Sequence, residues 1–111
     1  MSHATVYAAV SQHVPCRHME WQGKSCPAPP FAVYLLDYDK PICAGDRQIA
    51  VRHKWIVELY EMRRDSSLEM DLAETLREEF GNVRRDENWI EDDDLFQVVY
   101  TFYEIEGEFD G

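Results

Sequence analysis

His13, Cys16, His18 and Cys26 crowd metal-competent side chains into one short stretch of this chain. Zinc takes four nitrogen or sulfur ligands in a tetrahedron, and His-x2-Cys-x-His with a cysteine further on supplies the right types. The spacing fits no zinc-finger pattern and Pro15 constrains it awkwardly, so the four read as loop residues and no metal is expected. A thiol nucleophile needs a partner base and a local signature, and none flanks Cys16, Cys26 or Cys43. Cys43, beside Ile42, reads as a small buried apolar residue. His53 reads as a core histidine with one hydrogen-bond partner. There is no Gly-rich phosphate loop, no GxSxG and no HExxH. Glu91-Asp92-Asp93-Asp94 lacks the alternate spacing and central glycine of an EF-hand loop and reads as a solvated acidic turn. No catalytic residue, cofactor or metal is therefore expected, and the chain is not read as an enzyme.

The elements that would position any site are plainer. From Ile49, apolar residues alternate through Val51, Trp55, Val57 and Leu59, with His53 in the same register, which predicts a half-buried strand over Gln48–Tyr60. Leu68, Leu72, Leu76 and Phe80, with Ala73, then recur on one helical face. Ser66 followed by Glu69 fits a capping box, and Gly81-Asn82 fits a left-handed stop. Upstream, Val6, Ala9, Val10 and Val14 predict a helix from Ser2 to His13, ended by Pro15. Residues 16–30 read as a long loop or interface arm, with a short strand possible near Met19 and Trp21. Phe31–Leu36 is a continuous apolar run and predicts a strand buried on both faces. Asp37–Arg47, with Pro41 and Gly45, reads as a turn or loop joining two antiparallel strands. Asn82–Asp94 holds Trp89-Ile90 in a field of charge and suggests a short edge strand. Leu95 to about Ile105 is apolar on both faces and predicts an inner strand covered on both sides, by helices or by a neighbouring subunit. Residues 106–111 read as a frayed tail. The sum is one α+β domain over residues 1–111, with a mostly antiparallel sheet of about four strands and two helices packed on it.

Composition narrows the function. The chain has 111 residues and a net charge of −11. Phosphate binding needs a basic face, so nucleic acid is not expected as the main partner. No apolar run approaches the roughly 20 residues that span a bilayer. Met1–Val14 lacks the basic start of a signal peptide, so a soluble, intracellular product with reduced thiols is expected. Residues 86–111 hold ten Asp or Glu and no Lys or Arg, which concentrates negative charge on one face or edge.

Taken whole, the chain resembles the tail-terminator, or tail-completion, proteins of long-tailed bacteriophages. The resemblance is carried by the short N-terminal helix, Pro29-Pro30-Phe31-Ala32-Val33-Tyr34, and the polar loop after it. It continues through Ile56-Val57-Glu58-Leu59-Tyr60 and Asp65, the helix through Leu76, and Leu95-Phe96-Gln97-Val98-Val99-Tyr100-Thr101-Phe102. It covers roughly residues 5–105, and its motifs are structural. It implies a ring-forming virion protein, hexameric in the virion. Such a protein caps the tail tube, provides the head–tail joining surface, and is made in the host bacterial cytoplasm. Its expected partners are further copies of itself, the tail tube protein and the head–tail connector protein, with no membrane. The candidate contact residues are Asp37, Tyr38, Asp39, Lys40, Asp46 and Arg47 in the polar loop, and Glu91, Asp92, Asp93 and Asp94 in the acidic turn. The alternative is a small acidic inhibitory protein that mimics the charge of DNA.

Overall fold

The computed structural model describes residues 2–19 and 27–107. Its elements are α1 (Ser2–Ser11), β1 (Cys16–His18), β2 (Phe31–Ala44), β3 (Arg47–Glu61), α2 (Ser66–Phe80), β4 (Val83–Ile90) and β5 (Leu95–Gly107), with a 3-10 turn at Glu91–Asp93. The strands form one sheet in the order β1-β2-β3-β5-β4. Every neighbouring pair is antiparallel except β1, which runs parallel to β2. The fold is α+β, with five strands rather than four. Among the described residues, no helix is long and apolar enough to cross a membrane.

The central strand β3 behaves as its alternation predicts. Trp55, Val57 and Leu59 are buried and paired with Leu36, Tyr34 and Ala32 on one side and Phe102, Tyr100 and Val98 on the other. Side chains directly opposite one another share a face of the sheet, so these residues make one continuous apolar layer. Both helices lie on it. Val6, Ala9 and Val10 from α1, Val14 just past its end, and Leu72, Ala73 and Leu76 from α2 join Trp55, Val57, Leu59, Val98, Tyr100 and Phe102 in a single core. Trp55, Tyr100 and Phe102 are almost wholly buried. Each removes roughly 150–250 Å² from water, worth about 4–6 kcal/mol before entropy is charged against it. Phe80 stacks on Phe102 with ring centroids 4.6 Å apart and closes the end of the layer.

Helix α2 starts one residue earlier than the capping box implies. Asp65 is the N-cap, and its side chain accepts from the Leu68 N–H at 3.0 Å. Glu69 does not reach back to the cap; it turns inward and is buried. The reason is competition: two guanidinium groups offer Glu69 stronger, charge-assisted bonds than one backbone N–H can. Gly81 ends the helix at φ 90°, and its N–H donates to the Arg77 carbonyl.

Several boundaries move. Residues 37–47 are not a loop. β2 continues to Ala44, β3 begins at Arg47, and only Gly45 and Asp46 turn. Gly45 sits at φ 66°, the positive angle that the first position of such a two-residue hairpin turn requires. Pro41 is tolerated because beyond Tyr34 the described residues give β2 a neighbour on one side only, and an edge strand accommodates proline. The ladder absorbs irregularities between Leu36 and Tyr38 and between Ile42 and Cys43. The short strand in the 16–30 segment is Cys16–His18; Met19 lies just past it and Trp21 falls outside the described residues. Cys43 is exposed rather than buried. β4 is an edge strand, as its charges suggest. β5 runs to Gly107, paired with Ala50, so 106–107 are strand and not tail; residues 108–111 lie outside the described part.

Leu72 is fully buried between α2 and the sheet. Leu72→Asp is expected to abolish cooperative folding, because an unpaired buried charge exceeds about 4 kcal/mol of destabilisation. A thermal melt followed by far-ultraviolet circular dichroism reads this directly, and a wild-type melt would contradict the packing described.

Candidate functional site

The layered core uses one face of the sheet, and the other face has a different composition. Alternation puts Phe31, Val33, Leu35, Ile56, Tyr60, Val99, Tyr103 and Ile105 there, with Arg52, Lys54, Glu58 and Gln97 between them. The core formed with the two helices includes none of these residues. Val33 is buried; Leu35, Ile56 and Val99 are half-buried; Tyr38, Tyr103 and Ile105 are exposed, Ile105 by 63%. Arg52 lies 4.1 Å from the Tyr103 ring centroid, and Lys54 5.4 Å from that of Tyr38. So β5 is apolar on both faces as expected, but the helices cover one face only.

The candidate contact residues divide between the two ends of a molecule 49 Å long. Asp37, Tyr38, Asp39 and Lys40 are strand residues on the arm formed by β2 and β3. Asp46 and Arg47 are at its tip. Asp37 pairs with Lys54 at 3.1 Å, and Asp39 bonds to His53. The other four, Glu91, Asp92, Asp93 and Asp94, form the exposed turn between β4 and β5 at the opposite end of the ladder. Asp94 adopts the left-handed conformation that closes this turn.

His13, Cys16 and His18 each have neighbours of their own. His13 Nε2 lies 2.8 Å from the Thr75 hydroxyl and ties the end of α1 to α2. Cys16 is in the core, where burial pushes its thiol up to about 12. His18 meets the His3 ring edge-on at 4.6 Å. Cys26 lies outside the described residues.

Two charged clusters come together only in the fold. The first is a closed ring of charges beneath α2. Arg64 donates to both oxygens of Glu69 at 2.8 and 2.7 Å, and Arg85 donates to Glu69 at 2.9 Å. Both arginines also reach Glu87, each at 2.8 Å. The Tyr100 hydroxyl donates to the Glu69 carbonyl at 2.7 Å. Hydrogen bonds from Arg64 hold the Glu69 carboxyl well below its usual range against the opposing effect of burial. Glu61, also buried, moves the other way: burial, then the hydrogen bond to Glu69 and the charge of Glu69, raise it. One Glu61 oxygen accepts from the Asp65 N–H at 3.0 Å, and the other has no donor among the described residues. A proton held on Glu61 and shared with Glu69 satisfies both carboxyl groups. In the sequence Arg63-Arg64 and Arg84-Arg85 flank α2 and are expected to pair with acidic groups; for Arg64 and Arg85 those groups are Glu69 and Glu87.

The second cluster lies on the helix-bearing side of the arm. Asp39, His53, Glu104 and Glu106 come from β2, β3 and β5. Burial opposes charge on His53, but the hydrogen bond and charge of Asp39, with the charges of Glu106 and Glu104, outweigh it and raise its pKa. His53 is thus not a core histidine with a single partner. Its signal was Glu104-x-Glu106, two carboxylates on one face of a strand.

No protein-family model matches this chain, and no curated protein matches it.

The Glu61 assignment gives a pH dependence. Below the ordinary value of 4.5 the group is protonated whether folded or unfolded. As pH rises past 4.5 the unfolded chain releases the proton and the folded chain keeps it, so the stability contributed by Glu61 is lost as pH climbs through the raised value. Glu61→Gln keeps a neutral donor and acceptor in place. Its melting temperature should gain steadily on the wild type from acid to mildly alkaline pH, and a constant difference would contradict the shared proton.

Proposed function

We propose that this chain is a structural, non-catalytic assembly protein of a phage tail: a tail terminator that closes the tail tube and presents the head-joining surface as a ring, six copies in the virion. One observation carries the reading. The sheet has a second apolar face, through Leu35, Ile56, Val99, Tyr103 and Ile105, that lies outside the core built with the helices. Apolar residues left half-buried or exposed on the open face of a sheet supply a binding surface for a partner. Its occupant is another copy of the chain, seated head-to-tail, because a ring requires an interface of two different patches closed by rotation. The two charged ends support the same reading. A ring subunit meets one partner on each side: the tail tube protein at one end, the head–tail connector protein at the other. Charged contacts at those ends would orient the partners more than tighten them. The protein would be made in the host bacterial cytoplasm and end in the virion tail.

The second reading, an acidic inhibitor that mimics DNA, draws on the exposed Glu91–Asp94 turn. It sits less well with Arg52 and Lys54 displayed on the apolar face.

Size exclusion with light scattering separates the two. The wild type should form rings or concentration-dependent oligomers. Ile105→Asp and Tyr103→Asp, at exposed positions, should keep the wild-type circular dichroism and run as monomers. A wild type that is monomeric at every concentration and competes with DNA for a basic enzyme supports the second reading instead.

A further inference from the structure

On the arm, beyond the helices, three strands bring unlike ligand groups together. His53 of β3 and Glu104 and Glu106 of β5 each offer one ligand atom, all within 4.8 Å of one another. Strand alternation explains why. Glu104 and Glu106 are two residues apart and share a face, and Glu104 lies directly opposite His53 in the β3–β5 ladder. Asp39 of β2 lies opposite His53 on its other side and bonds to its Nδ1. That bond leaves Nε2 facing Glu106, at 3.5 Å. A carboxylate on the far ring nitrogen is the usual way in which a metal-ligating histidine is oriented.

A direct salt bridge accounts for this group poorly. The Nε2 to Glu106 separation is long for a hydrogen bond. Glu104 Oε1 is buried and has no hydrogen-bond partner among the described residues. An unpaired buried carboxylate oxygen is costly. Tetrahedral ligands about 2.0–2.2 Å from a common ion sit roughly 3.3–3.6 Å apart, so small side-chain rotations close the group around a cation.

We propose that His53, Glu104 and Glu106 bind a divalent transition-metal ion, with Asp39 as the positioning residue for the imidazole. One imidazole with two carboxylates suits zinc, or manganese as a harder alternative; magnesium and calcium prefer all-oxygen sets. The ion ties β3 to β5 and, through Asp39, to β2, and stiffens the arm. The inference does not rest on the phage-tail reading.

The test uses the full chain stripped with chelator. Zinc chloride is titrated by calorimetry, and cobalt(II) by absorbance, into the wild type, His53→Ala, Glu104→Gln and Cys16→Ser. The expected result is one saturable site in the wild type and in Cys16→Ser, weakened about tenfold or more in both other variants. All four should share one circular dichroism spectrum. Cobalt should give no thiolate charge-transfer band. Absence of saturable binding, binding unchanged in Glu104→Gln, or a thiolate band lost in Cys16→Ser would overturn the proposal. Glu104→Gln decides the matter if His53→Ala fails to fold.

Discussion

Both helices lie on one face of the five-stranded sheet, and most of the structure follows from which face they take. Trp55, Val57 and Leu59 on β3 commit one face to the interior, and their paired neighbours on β2 and β5 extend it. Helix α2 lays Leu72, Ala73 and Leu76 onto that layer, and α1 packs alongside. The opposite face keeps Leu35, Ile56 and Val99 without that cover. Among the described residues the helices therefore bury one face of the sheet, while the other holds Val33 buried and Leu35, Ile56 and Val99 half-buried.

The charge ring under α2 fixes the helix in place on that layer. Hydrophobic contact is non-directional and would tolerate sliding. Glu69 held by Arg64 and Arg85, with Tyr100 bonded to its carbonyl, allows one register. Removing two carboxyl groups from water is expensive. The arginines answer for Glu69, and a retained proton answers for Glu61. The network thus favours uniqueness of packing, and the apolar layer supplies most of the stability.

What was legible in the sequence is what repeats. The four-residue recurrence from Leu68 to Phe80 and the two-residue alternation from Ile49 to Leu59 each name a face. The same alternation identified β5 as apolar on both sides. The long arm was hidden because Pro41, Gly45 and the charges of residues 37–47 have turn chemistry; the ladder with β3 overrides them, since Asp39, Lys40 and Pro41 find partners in His53, Arg52 and Val51. The inward turn of Glu69 was hidden for a related reason. Locally it completes a capping box, and only the fold brings Arg85 to it from 16 residues away. His53 looked like a core residue because it continues the Trp55 face, but that face runs past the helices and out onto the arm. Contacts made across strands by register are the ones that a pattern of neighbours cannot supply.

The central claim is that the second face of the sheet is a contact surface between copies. Hydroxyl-radical footprinting of dilute and assembled protein tests it residue by residue. Leu35, Ile56, Val99 and Ile105 should lose labelling on assembly, and Met70, exposed on α2, should keep it. Unchanged labelling across that face in an oligomer, with protection on α2 instead, would contradict the account.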